Sequence, residues 1–285
     1  MWAELGGLVT AVSYAGGDLS VRAGMKGSNP LAAAIATLTI NVILLWSISF
    51  ILVPWDAFRL SLVWIFIVDG IMTQTFGRLL KFTSIARLGA ARTGVIMGAT
   101  PLFSVSLAVL FLNERLTAPV LGGAIFIVLG IALITEQREE GQGRFKDIIF
   151  PVISALLFGF SPIIRKWGIS GLGYPFLGAA VTASTSLVTL LILSYFFPGR
   201  GGLVLTGRSL RYFVFSGLAT TVALPLFYYA LMWGPVIVVG PLSNTAGFFI
   251  VLISHLFLRS TERITSRVWG GCLAVLAGAT LIILH

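Results

Sequence analysis

The stretch NERLTAPVLGGAIFIVLGIALI at residues 113–134 returns as TERITSRVWGGCLAVLAGATLI at residues 261–282, and this internal repeat constrains the fold more than any other feature. Aligned without a gap, the two copies agree at nine of 22 positions: Glu114/Glu262, Arg115/Arg263, Thr117/Thr265, Val120/Val268, Gly122/Gly270, Gly123/Gly271, Gly130/Gly278, Leu133/Leu281 and Ile134/Ile282. Apolar segments resemble one another cheaply, but hydrophobicity does not explain the polar Glu-Arg-x-Thr lead-in. The match continues upstream. Gly16 and Arg22 have the spacing of Gly159 and Arg165, and Pro30 and Thr37 that of Pro175 and Thr182. Gly89 and Gly234 mark equivalent tight links.

Each copy is overwhelmingly apolar. The chain is 57% apolar and 10% charged with mean hydropathy +1.00, whereas a soluble domain carries roughly a quarter charged residues. Its apolar runs reach the roughly 20 residues a helix needs to cross a bilayer. They are continuous rather than alternating, which excludes a membrane β-barrel. The sequence therefore describes an all-α integral membrane protein. Breaking it at Gly, Pro and charged clusters predicts ten spans: 3–22, 30–53, 59–80, 91–112, 117–136, 147–168, 174–197, 209–232, 235–258 and 265–284. The hydrophilic connection EQREEGQGRFKD divides a first repeat, 1–137, from a second, 147–285, with 138–146 as linker. The first twenty residues lack a basic n-region and have a counterpart later in the chain, so they read as a retained helix and not a signal peptide. The sole cysteine, Cys272, falls inside the last span and permits no intramolecular disulfide.

Five is odd, and a second copy that follows an odd number of crossings enters the membrane from the opposite side. The halves are then inverted five-helix repeats about a two-fold axis in the membrane plane. That plan belongs to secondary transporters, which hold substrate near the midplane between the halves. The two quoted stretches, with PLFSVSLAVLFL before the first and FLRS before the second, resemble the ends of EamA domains. Two such domains and ten spans resemble the drug/metabolite transporter superfamily. The resemblance implies a central cavity lined by spans 1, 3, 4, 6, 8 and 9, with spans 5 and 10 at the periphery. It implies export or exchange of amino acids or other small metabolites, driven by a proton or counter-substrate. Gly123 and Gly130, like Gly271 and Gly278, lie seven apart on one face and suit close helix packing. Glu114 and Glu262, just ahead of their spans, can cap a helix or pair with the following arginine.

Net charge +9 follows from an excess of basic residues on connections and does not indicate nucleic acid. The connections after spans 1, 3, 5, 7 and 9 hold fourteen Lys and Arg. Those after spans 2, 4, 6 and 8 hold four: Arg59, Arg115, Arg165 and Lys166. The positive-inside rule places the richer set in the cytoplasm and both termini outside, whereas the resemblance implies both termini inside.

A charge at mid-bilayer costs about 2.5–3.5 kcal/mol on insertion scales, so each one asks for an explanation. Asp69, centred in WIFIVDGIMTQTF without a basic residue within a helical turn, reads as a proton carrier or a ligand for a cationic group. Asp18 and Arg22 are four apart and can pair, with Tyr14 one turn earlier on the same face. The second half keeps the arginine as Arg165 but has Ser161 where the acid stood. Either arginine snorkels to the headgroups or faces the cavity, where a carboxylate or phosphate is its natural partner. Gln74, Arg78 and Lys81 line one face of span 3, Lys81 as an interfacial anchor. Asn244 and His255 share a stripe of span 9, and Tyr228 and Tyr229 read as an aromatic belt or a stacking platform. Pro101, Pro162, Pro225 and Pro241 are candidate kinks that free backbone carbonyls or let a helix bend.

The leading expectation is a secondary transporter in the cell membrane. Its partners are the lipid bilayer, a small-molecule substrate, and protons or a counter-substrate, with the chain a monomer or weak homodimer. No Walker motif, metal site or cofactor is expected. The alternatives are an integral-membrane enzyme on a lipid-linked substrate and a non-transporting sensor.

Overall fold

A computed structural model describes residues 2–54, 60–88, 96–135, 145–196, 204–246, 248–249, 252–253 and 266–284. The described secondary structure is helical throughout and falls into ten spans. Spans 1 and 2 are Trp2–Gly24 and Pro30–Leu52, the latter capped by Asn29, whose Oδ1 accepts the Ala32 N–H at 2.8 Å. Span 3 runs as an α-helix over Leu60–Asp69, a π-helix over Gly70–Gly77 and an α-helix again over Arg78–Leu88. Spans 4 and 5 contain Thr100–Leu112 and Ala118–Thr135. Spans 6, 7 and 8 are Ile149–Leu172, Pro175–Phe196 and Gly207–Trp233. Spans 9 and 10 contain Val236–Ser243 and Ser266–Ile283. Among the described residues, five helices are each long and apolar enough to cross a membrane: Pro30–Leu52, Ser61–Ser84, Lys146–Leu172, Pro175–Phe196 and Gly207–Trp233.

Two boundaries differ from the sequence reading in a way that matters. Span 3 continues to Leu88, so Lys81 and Arg87 are helical residues and not loop residues, and span 6 continues to Leu172, so Arg165 and Lys166, counted above with a connection although they fall within 147–168, belong to the helix. Proline and charge were taken as breakers, yet an arginine inside a bundle survives where it finds a partner.

The packing obeys the repeat. Span 1 lies against span 8 as span 6 lies against span 3, and span 2 meets span 8 as span 7 meets span 3. Spans 2 and 7, 4 and 9, and 5 and 10 pack on one another. Exchanging each span for the one five further on reproduces this set of contacts, as a two-fold axis requires. At the outer pair, a Cβ on Gly123 would meet the Gly278 carbonyl oxygen at 2.6 Å, and one on Gly130 the Gly271 carbonyl oxygen at 2.6 Å. The two contacts are repeat mates of each other, and the reversed order shows that spans 5 and 10 run antiparallel. Glycine lets the backbones touch there, as the spacing suggested.

The fourth span of each half is interrupted at almost the same place. Helix gives way to a turn at residues 98–99 in span 4 and at 244–245 in span 9, one residue apart in the register that aligns Thr100 with Thr245. Pro101 therefore sits in the first turn of a helix and not within one, where its missing N–H costs nothing. Pro162, Pro225 and Pro241 do lie inside their helices. Glu262 and His255 lie outside the described residues.

Candidate functional site

Span 3 carries the acid, and three close approaches fix its position. A Cβ on Gly70 would meet the Thr182 carbonyl oxygen at 2.6 Å, so the backbone of span 3 touches span 7 immediately after Asp69. One turn earlier, the Phe66 ring fills a slot between Gly168 of span 6 and Gly178 of span 7, where an added Cβ would lie 2.7 Å from it in either case. The π-helical turn that follows widens the helix, and Thr75 Oγ1 donates back five residues to the Gly70 carbonyl at 3.1 Å. Such single π turns recur at functional sites because the extra residue re-aims the side chains around it.

Asp69 is fully buried, and although no basic residue lies within a turn of it on its own helix, it is paired across spans. Its Oδ2 accepts Arg165 Nε of span 6 at 2.8 Å and the Tyr228 hydroxyl of span 8 at 3.3 Å. Its Oδ1 accepts Ser161 Oγ at 2.8 Å and Thr73 Oγ1 at 2.9 Å. Thr182 Oγ1 lies 2.9 Å from the Tyr228 oxygen, and donating to it leaves the phenolic proton for Asp69. Four side-chain donors from three spans thus converge on one carboxylate, each satisfying a group that hydrocarbon would otherwise penalise. Ser161 occupies the place of Asp18 in the repeat, so the second half gives up its own acid and supplies a hydroxyl to the acid of the first.

Arg165 is 3% exposed and does not snorkel. Its guanidinium carbon stands 5.4 Å from the Phe227 ring centroid and 5.3 Å from that of Tyr228, a cation–π arrangement suited to a dry site. Nη2 of the same guanidinium is buried and makes no hydrogen bond. Arg22, its repeat mate, is exposed in the last turn of span 1. The divergence has a simple origin. The position matching Asp69 in the second half is Val214, which offers Arg22 no anion.

The remaining candidates form a second layer. Arg78 donates to Thr37 Oγ1 at 3.2 Å and to Gln74 Oε1, both neutral. Lys81 bonds Asp18 at 2.7 Å, so Asp18 pairs across spans 1 and 3. Tyr14 lies within electrostatic reach of Arg165, Arg78 and Asp69. Tyr228 is fully buried, which removes the belt reading for it, whereas Tyr229 is 41% exposed. Asn244 ends the helix of span 9, its Nδ2 donating to the Gly240 carbonyl at 2.8 Å. The turn at 244–245 breaks the continuous stripe that Asn244 was expected to share.

Sequence reasoning missed Thr73, and it missed Lys166 as a half-buried residue that holds another span. Lys166 Nζ bonds the carbonyls of Leu231 and of Gly234, the latter at 2.8 Å, at the end of span 8. The signal was available for Ser161 and Thr182, because both stood out in the repeat alignment.

The sequence model of the EamA-like transporter family matches residues 1–136 and again residues 146–284. No curated protein matches the sequence. A crystal structure of another protein superposes on this chain with a TM-score of 0.81, over 99% of this chain and 96% of that one. The two are 16% identical, which is a likeness of fold.

Proposed function

Because the chain belongs to the EamA-like transporter family, whose members are membrane transporters of the drug/metabolite transporter superfamily, we propose that it is a secondary active transporter. It exports or exchanges a small metabolite, such as an amino acid, by alternating access between the two repeats, and it acts as a carrier and not as an enzyme. The observation that carries this reading is the buried Asp69–Arg165 pair, which ties span 3 of one repeat to span 6 of the other. An ion pair between two halves that must move is a contact that substrate or a proton can make or break. The matched interruptions of spans 4 and 9 support the same reading, since broken helices in corresponding positions mark substrate sites in inverted-repeat carriers.

Coupling to protons would run through Asp69, because a proton there neutralises the acid and frees Arg165. With Arg165 buried inside the bundle, the basic residues on the poorer side fall from four to Arg59, Arg115 and Lys166. Arg22, Lys81 and Arg87 of the richer side likewise fall within their helices, and the asymmetry that remains supports the reading that both termini lie outside a cell membrane. The test is counterflow in proteoliposomes loaded in turn with amino acids, organic acids, nucleosides, sugars and polyamines. Protein-dependent exchange of one class, without added nucleotide, is the expected result. Folded protein that moves none of them would sink the proposal.

A further inference from the structure

The charges packed around Asp69, two of them buried and three half-buried, do not balance, and the imbalance points to a ligand. Asp69 is matched by Arg165 and Asp18 by Lys81. Arg78 bonds only the neutral Gln74 and Thr37, and among the described residues no carboxylate is in ion-pair contact with it. This interior cluster therefore carries one uncompensated positive charge in a setting where such a charge is expensive. Arg165 Nη2 is buried and makes no hydrogen bond, while Nε of the same guanidinium is taken by Asp69. Tyr14 lies within electrostatic reach of both arginines, and the two arginines lie within reach of each other. One turn from Tyr14 on the same face, Thr10 Oγ1 is also buried without a partner. Unsatisfied donors beside an excess positive charge describe an incomplete anion site.

We propose that a carboxylate group of the transported solute completes this site, held between Arg78 and Arg165 with the Tyr14 hydroxyl beside it. The proposal rests on the transporter reading and narrows its substrate to solutes bearing a carboxylate. A planar guanidinium favours planar carboxylate oxygens over a point contact. A cationic solute is disfavoured, because both acids of the cluster are already taken.

The experiment is a thermal-shift titration of the full-length protein in detergent with hexanoate, L-leucine, hexanamide, L-leucinamide and inorganic phosphate, followed by counterflow with the same compounds. The expected result is stabilisation by hexanoate or leucine, little or none by the amides, and at least tenfold weaker apparent affinity in Arg78→Gln. Arg78→Lys, which keeps the charge but loses the planar fork, should fall between. Hexanoate binding without leucine would assign an organic acid, and the reverse an amino acid; either upholds the carboxylate site. Binding of phosphate or an amide alone overturns it, as does a carboxylate response undiminished in both Arg78 variants, or no response to any compound. If carboxylates bind yet no solute crosses in counterflow, the site stands and the transporter reading falls. If a neutral or cationic solute crosses and carboxylates do not bind, the reverse holds.

Discussion

Glu114 accepts the backbone N–H of Val236 at 2.8 Å, so a residue on the lead-in to span 5 of the first repeat caps the first turn of span 9 in the second. Its other carboxylate oxygen takes the Ile237 N–H at 2.9 Å. The residue at the N-cap position itself, Pro235, has no side chain able to do this. A negative charge at a helix N-terminus satisfies orphan donors and complements the helix dipole at once. On the other side of the same turn, Lys166 holds the carbonyls that end span 8 and lies within electrostatic reach of Glu114. The polar lead-in of the repeat motif is thus a clamp on the opposite repeat.

Removing that clamp should loosen the second repeat. Glu114→Ala leaves two N–H groups without acceptors, and loss of a helix cap costs about 0.5–2 kcal/mol. The expected outcome is a lower melting temperature in detergent, with Glu114→Gln intermediate because it keeps one acceptor oxygen. A melting temperature unchanged in both variants would show that the cap contributes nothing.

Gly122 and Gly123 are adjacent, yet their tolerance should differ. A Cβ on Gly123 collides with the Gly278 carbonyl oxygen at 2.6 Å, whereas Gly122 has no described atom within 4 Å. Gly123→Ala must push spans 5 and 10 apart, at the roughly 1–3 kcal/mol typical of overpacking. Gly122→Ala should stay within about 0.5 kcal/mol of the parent. Thermal unfolding of the two variants side by side measures the difference.

How much of this was legible follows from what a linear pattern records. The glycine contacts, the five-plus-five plan and the importance of Asp69 follow from repeat spacing and hydropathy, which are properties of one helix or of an alignment. The partner of Asp69 was not legible. Arg165 lies 96 residues away on a different span, and spacing rules reach only one or two turns. Glu114 was read against its own helix for the same reason, although its acceptor role is met 122 residues downstream. The π turn at Gly70–Gly77 was invisible because a 3.6-residue period was assumed throughout. Lys166 was lost by counting it as a loop residue, when its neighbour Arg165 already posed the question of what lies inside the span.

The repeat also predicts matched energies. Thr75 Oγ1 of span 3 lies 3.0 Å from Ser186 Oγ of span 7, within hydrogen-bond distance. In the orientation that satisfies its amide, Asn41 Nδ2 of span 2 donates to Thr220 Oγ1 of span 8 at 3.0 Å and to the Gly217 carbonyl at 2.8 Å. Thr75 and Thr220 are repeat mates, as are Asn41 and Ser186. Thr75→Val and Thr220→Val should each destabilise by about 0.6 kcal/mol and by no more than about 1.7, the range for interhelical hydrogen bonds in membranes. Reversible denaturation in mixed micelles can resolve the larger values, and a loss several times greater in either variant would contradict the matched roles.

The Asp69–Arg165 pair makes the sharpest energetic prediction, because its two charges are costly apart and tolerable together. Asp69→Asn leaves a buried guanidinium without its counter-charge, and breaking a buried pair from one side costs about 3–5 kcal/mol. Arg165→Gln leaves the carboxylate with only hydroxyl donors, at a similar cost. Removing both charges in Asp69→Asn/Arg165→Gln eliminates the uncompensated ion, so the double variant should be more stable than either single one. The coupling energy from the complete cycle should be large and favourable, outside the few tenths of a kcal/mol seen for independent sites. Transport gives the complementary reading. The double variant should fold yet remain inactive, since the making and breaking of this contact between the repeats is the proposed switch. A double variant that transports like the parent would reduce the pair to a structural contact, and additive losses of stability would show that the two charges do not support each other.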